Sequence, residues 1–212
     1  MIKKSITDCR LYGFIDAAYL AGRKPAELTQ ALIAGGVDII QVRGKKLSHS
    51  RFVKLACAVV QAAAASDVPI IVNDNLETAE EAGADGVHFG QEDWAAIPRA
   101  DRNRRLVSMN LLGLSTHSLH QAMEAERDGA NYLGVGPIFP TGTKPDAKPV
   151  GLELIHQVVA RVGTPFFAIG GITLDNLAAV LAAGATRVAV VSAILNAPDV
   201  TKAAAAFKEK LK

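Results

Sequence analysis

AGGVDIIQV (34–42), AGADGVHF (82–89), DGANYLGV (128–135) and AGATRVAV (183–190) are four versions of one pattern. Each ends a helical stretch on a glycine (Gly36, Gly83, Gly129, Gly184) and enters an apolar, β-branched run. Glycine suits that place because the residue after a helix commonly adopts the left-handed conformation, where a Cβ costs energy. The pattern recurs about every 50 residues, room for two βα units per repeat, so four repeats predict eight. Working outward, strands are expected at 11–16, 39–43, 69–73, 86–89, 111–115, 132–136, 165–170 and 187–192. Helical patterns lie near 26–35, 48–66, 76–83, 94–101, 118–129, 152–162, 174–183 and 198–211. Such alternation predicts a parallel sheet, and eight units in 212 residues predict one α/β domain over 1–212, a (β/α)8 TIM barrel. An open doubly wound sheet would carry G-x-G-x-x-G after its first strand; DAAYLAGR (16–23) lacks it.

Half the residues are apolar and 21% are charged, a balance that supports a sizeable core and argues against disorder. The net charge of +2 is spread over mixed signs and aromatics make up 5%, which excludes the basic, stacking surface of a nucleic-acid binder. Cys9 and Cys57 form neither a disulfide framework nor a CxxC motif, and Cys57 reads as a small core residue. The start, MIKKSITDCRLYGF, has no apolar leader segment, and stretches such as 162–174 are too short for a membrane span. A cytoplasmic protein with no membrane partner is expected. The sequence specifies no oligomeric state.

In a barrel the active site lies at the carboxyl ends of the strands, so polar residues there carry the functional signal. Gln41, Arg43 and Lys45 alternate along one face of strand two; against a bland solvated face, a barrel strand is covered on both sides, and a basic pair there suggests an anion. Asn73-Asp74 ends strand three and Asp93 follows strand four. Each alone could be a cap or an acidic first helical turn, yet together beside two bases they resemble a magnesium site completed by phosphate. Ser115 ends strand five. The long loop after strand six, PIFPTGTKPDAKPVG, offers Thr141, Thr143 and Lys144; its bland reading is a proline-stiffened surface loop. Gly170-Gly171 after strand seven and Val191-Ser192 after strand eight fit the phosphate site many barrels build there. Two anion sites follow, and hence two phosphorylated substrates. His88 is expected to be a buried, hydrogen-bonded strand residue and His117 to stand near the mouth, with His49, His120 and His156 peripheral.

QVRGK (41–45), VND (72–74), ADGVHFGQED (84–93), GLSTHS (113–118), YLGVGPIFPTGTK (132–144), AIGGI (168–172) and VAVVSAI (188–194), in this order and spacing, resemble the thiamine-phosphate synthase family over nearly the whole chain. The resemblance implies a magnesium-dependent transferase of thiamine biosynthesis. It would join 4-amino-2-methyl-5-hydroxymethylpyrimidine diphosphate to a thiazole phosphate, or its carboxylated form, releasing pyrophosphate by a dissociative substitution. Carried over position by position, Gln41, Arg43, Lys45 and Asn73 would hold the pyrimidine diphosphate, with Ser115 and Lys144 also contacting it. Asp74 and Asp93 would bind magnesium, and Thr141, Thr143, Gly171, Val191 and Ser192 would receive the thiazole phosphate. Arg43, Lys45, Ser115 and Lys144 are the residues assigned to catalysis.

A related thiazole tautomerase carries a histidine where this chain has Pro137, and usually lacks the full pyrophosphate set. Trp94 departs from the family, which commonly has a smaller aliphatic residue there. A non-catalytic binder of thiamine phosphates would not need the complete charge set, and a lyase or isomerase should show a general acid/base pair at the strand ends.

Overall fold

The computed structural model describes residues 2–98, 102, 109–142 and 147–212. Eight strands close into a barrel in sequence order, each parallel to its neighbours. They are β1 (Leu11–Asp16), β2 (Ile39–Arg43), β3 (Ile70–Asn73), β4 (Gly86–Phe89), β5 (Leu111–Thr116), β6 (Tyr132–Val135), β7 (Phe166–Ile169) and β8 (Val188–Ala189). Among the described residues the helices are α1 (Pro25–Ala34), α2 (His49–Ala62), α3 (Leu76–Ala82), α4 (Gln91–Ala96), α5 (Leu119–Arg127), α6 (Glu153–Arg161), α7 (Leu177–Ala182), α8 (Ser192–Leu195) and α9 (Val200–Glu209). A 3-10 turn, Ala17–Tyr19, follows β1. No helix among the described residues is long and apolar enough to cross a membrane.

The repeat explains both the helix ends and the barrel floor. Gly36, Gly83, Gly129 and Gly184 all have positive φ, between 67° and 101°. Two residues after the first three glycines stand Asp38, Asp85 and Asn131, each with a side-chain oxygen that accepts a backbone N–H at the start of the preceding strand. Those donors are Leu11 N at 3.0 Å, Ile70 N at 2.8 Å and Leu112 N at 2.7 Å. Backbone donors at the closed end of a barrel would otherwise be orphaned, so the repeat carries its own plug. At Asp38 the plug is reinforced by Arg10 N at 2.9 Å, Lys4 Nζ at 2.8 Å and Lys208 Nζ at 2.5 Å, which ties both chain ends to the barrel.

Two apolar layers surround the strands. Outside, Leu32, Ile40, Val59, Val158 and Leu177 are fully buried between barrel and helices. Inside, Tyr12, Tyr132 and Phe167 pack edge to face with centroids 5.1–5.7 Å apart, and Phe14 stacks on Tyr12 at 5.1 Å. This aromatic plug fills the lower lumen and leaves the upper end to polar residues.

Several expected boundaries shift. The eighth strand is two residues long, not 187–192, because the chain turns at Val191 into the unanticipated α8. The helix expected near 94–101 starts earlier, at Gln91, which puts Glu92 and Asp93 in its first turn; 99–101 lie outside the described residues. Helix 174–183 contracts to α7. Cys57 is half-buried and Cys9 is the core thiol, its ionisation pushed up to about 12 by burial and then by the charge of Asp38.

Candidate active site

Strand pairing sets the first wall. Alternation along β1 turns Tyr12, Phe14 and Asp16 into the lumen, and along β2 it turns Gln41 and Arg43 the same way; all five line one cavity at the strand carboxyl ends. Asp16 faces Arg43 in the register, and Arg43 Nη1 lies 2.6 Å from Asp16 Oδ2. Asp16 is 2% exposed and its Oδ1 also caps Ala18 N at 2.9 Å, so the guanidinium is anchored from below. Lys45 was expected on this strand face but lies beyond the strand end, in the turn after Arg43. It reaches the adjoining depression, which Asp74, Asp93 and Asn73 also line.

That depression is an acidic corner. Asp74 sits at φ 59°, with its N–H donated to the His88 carbonyl at 2.8 Å and its Oδ1 accepting from Gly90 N at 2.9 Å. Asn73 Nδ2 donates to Asp74 Oδ2, and Lys45 Nζ stands 3.6 Å from the same oxygen. Asp93 faces it from α4. Burial, then the negative charge of Asp74, raise the Asp93 carboxyl above the usual carboxylate range, with Lys45 opposing. A Cβ on Gly90 would lie 3.4 Å from Asp93 Oδ2 and 3.8 Å from Asp74 Oδ1, ordinary contact distances, so Gly90 stands against both carboxylates. Two hard oxygen ligands converging on one corner suit a magnesium ion.

Helix α4 is held at both ends. Gln91 Nε2 donates to the Ser115 carbonyl at 2.5 Å. Trp94 Nε1 donates to Asp128 Oδ2 at 2.9 Å, while Arg102 stacks 4.2 Å over the indole and bonds the same oxygen at 2.6 Å. Trp94 thus clamps the helix carrying Asp93.

The opposite wall comes from β6 to β8. The start of the β6 loop pairs with the end of β7, Ile138 N to Ile169 O at 2.8 Å and Phe139 N to Gly170 O at 3.0 Å. At φ 62° Gly171 lies so close to this loop that a Cβ would collide with the Pro140 carbonyl and Phe139. Thr141, Gly171, Val191 and Ser192 line the cavity here, with Pro137 beside them. His117 also lines it, a ring nitrogen bonded to the Gly136 carbonyl.

The floor is a row of buried polar groups. Gln41 Nε2 donates to Tyr12 Oη at 2.9 Å, Tyr12 Oη meets Tyr132 Oη at 2.8 Å, Tyr132 Oη meets His88 Nδ1 at 3.2 Å, and His88 Nε2 meets Ser115 Oγ at 3.0 Å. His88 is therefore the buried, bonded strand residue expected.

One cavity thus gathers Gln41, Arg43, Asn73 and Ser115 with Thr141, Gly171, Val191 and Ser192; Lys45, Asp74 and Asp93 occupy its rim. Thr143 and Lys144 lie outside the described residues. Asp16, Tyr12 and Tyr132 were missed. An acid closing an otherwise apolar strand was the available signal for Asp16. For the floor it was Gly113 and Gly134: a Cβ on Gly113 would strike Tyr132 and His88, and one on Gly134 would come within 3.4 Å of His88.

Paired bases, a carboxylate corner and close backbone approach at the mouth of a closed barrel define an enzyme of the (β/α)8 class that handles anionic substrates. The comparisons narrow the class. Residues 11–194 match the family model described as thiamine monophosphate synthase. The chain is 46% identical over 200 residues to thiamine-phosphate synthase of Chloroflexus aurantiacus, covering 94% of this chain and 91% of the relative. Against the thiamine-phosphate synthase of Halalkalibacterium halodurans it is 43% identical, over 91% and 90%. The solved thiamine phosphate pyrophosphorylase of Pyrococcus furiosus superposes with a TM-score of 0.84 at 33% identity, over 96% and 95% of the two chains. The chain belongs to the thiamine monophosphate synthase family, and so to the transferases.

Proposed function

We propose that this chain, acting as one domain, joins 4-amino-2-methyl-5-hydroxymethylpyrimidine diphosphate to 4-methyl-5-(2-phosphoethyl)thiazole or its carboxylated form. The products are thiamine phosphate and pyrophosphate. The observation that carries this reading is the single cavity with basic and amide groups on one wall, glycine and hydroxyl groups on the other, and an acidic corner at its rim.

Gln41, Asn73 and Ser115 hold the pyrimidine end, and Arg43, Lys45 and Lys144 its diphosphate. Thr141, Thr143, Gly171, Val191 and Ser192 hold the thiazole phosphate. Asp74 and Asp93 would hold Mg2+, which when bound supplies positive charge to the diphosphate. The C–O bond to the diphosphate breaks first, and the oxygen leaves with the bonding pair. The aminopyrimidine stabilises the exocyclic cation, and the thiazole nitrogen lone pair closes the new C–N bond. Nothing in this sequence needs a protein nucleophile. The chain's work is preorganised charge at the leaving group and positioning in a site walled from water. Arg43 is suited to that work because Asp16 fixes its guanidinium before substrate arrives. Two unpaired thiols suit a reducing compartment, and the cytoplasm is the location assigned.

The test is incubation of the purified protein with both substrates and Mg2+, following thiamine phosphate and pyrophosphate, with an EDTA control. Equal, metal-dependent formation of both is expected. No product, with thiazole phosphate still bound, would transfer the site to a tautomerase or a binder.

A further inference from the structure

The row across the floor joins five strands: Gln41 of β2, Tyr12 of β1, Tyr132 of β6, His88 of β4 and Ser115 of β5. Gln41, Tyr12, His88 and Ser115 line the cavity. Among the described residues Arg187 Nε is the one buried side-chain polar atom without a partner, so Gln41 Oε1, which takes no hydrogen bond, faces the space that Gln41 lines. Tyr132, by contrast, is fully buried and does not line the cavity.

Gln41 Nε2 donates to Tyr12 Oη, while the hydroxyl–hydroxyl and imidazole contacts beyond it can run in either sense. If each member gives one proton and takes one, the amide sets the sense: Tyr12 donates to Tyr132, Tyr132 to His88 Nδ1, and a neutral His88 turns its Nε2 proton to Ser115 Oγ, whose own hydroxyl proton is left for the cavity. Burial above all raises both phenols beyond the ordinary tyrosine range, so each stays an O–H.

We propose that this row sets the hydrogen-bond polarity of the pyrimidine subsite, a carbonyl at Gln41 and a hydroxyl proton at Ser115, and thereby selects a 4-aminopyrimidine ring over its 4-oxo counterpart. Tyr12, Tyr132 and His88 are then positioning residues, and the inference rests on the pyrimidine diphosphate reading above. The amino group donates to Gln41 Oε1 while a ring nitrogen accepts from Ser115. A 4-oxo ring sets carbonyl against carbonyl at Gln41. Turning the amide over to relieve this makes Tyr12 donate back to Gln41, Tyr132 to Tyr12, His88 Nδ1 to Tyr132 and Ser115 to His88. Ser115 then has no proton left for N1, the ring nitrogen that the 4-oxo ring, which carries its proton on N3, still presents as an acceptor. What the wrong ring gains at one end it loses at the other, because the ends are linked through Tyr132.

The test compares the inhibition constant of the 4-oxo pyrimidine diphosphate with KM for the 4-amino substrate, in the wild type and in Tyr132→Phe. Neither constant depends on the fraction of enzyme that is folded. A site with paired polar groups is expected to prefer the amino ring by about 100-fold or more. Tyr132→Phe, which cuts the link without touching substrate, is expected to lower that preference about tenfold while kcat changes less. Tyr12→Phe, cutting the next link, is expected to do the same and stands in if Tyr132→Phe does not fold. Full preference in these variants, or no preference in the wild type, overturns the proposal. Absence of product from the wild type with the amino substrate overturns the pyrimidine reading instead.

Discussion

Asp38→Ala should cost the protein a large part of its stability while leaving the cavity untouched. The carboxylate side chain is 3% exposed and takes four donors, the N–H groups of Arg10 and Leu11 and the ammonium groups of Lys4 and Lys208. Both lysines are about a quarter exposed and can turn to water when the acid is removed, so little of the loss lies there. The two backbone donors cannot follow. Each buried unmade bond costs about 1–3 kcal/mol, so the variant should lose about 2–6 kcal/mol. Against a total near 5–15 kcal/mol this is read easily from urea unfolding. Burial alone would raise the Asp38 pKa, but the bonds from Lys208, Lys4, Leu11 N and Arg10 N outweigh it and the net shift is downward. A depressed folded value means the charge-linked part of this stability is present above the unfolded value, about 3.9, and disappears as pH falls from there through the folded value. The gap between wild type and Asp38→Ala should therefore be constant from about pH 5 to 7 and narrow below about pH 4. A loss under about 0.5 kcal/mol at neutral pH, or a gap that widens on acidification, would refute the plug.

Asp93→Ala should lower turnover by about 100-fold or more, since it removes half of the carboxylate cradle; near-normal turnover in a Mg2+ titration would dismiss the assignment. Asp16→Ala takes the counter-charge from beneath Arg43 and should raise KM for the pyrimidine diphosphate about tenfold, with initial-rate kinetics as the check. Gly171→Ala must relieve both a positive φ and a collision with the Pro140 carbonyl. It should weaken thiazole phosphate binding about tenfold by calorimetry, and unchanged affinity would separate Gly171 from that subsite.

The barrel was legible because its signal is local and repeated: a helix, a glycine at positive φ, then a strand. Strand ends were legible for the same reason, and Gln41, Arg43, Asn73 and Ser115 do converge. Lys45 shows where extrapolation failed, since the period of two was carried past Arg43 into a turn. The eighth strand shows another failure: VAVVS reads as continuous β-type sequence, but tertiary packing turns Val191 out of the ladder and starts a helix at Ser192. Tyr12 and Tyr132 stayed hidden because their hydroxyls meet across the lumen from positions 120 residues apart, a contact that exists once the barrel has closed.

The clamp on α4 also makes the chain its own instrument. Trp94 is the sole tryptophan in the sequence, and it adjoins Asp93 with its indole N–H on Asp128 and a guanidinium over its face. Indole emission responds to nearby charge and to the polarity around the ring. Any ligand that draws Asp93 or shifts α4 therefore writes into a single-fluorophore signal, and loading of the acidic corner can be followed by light, without label and without turnover.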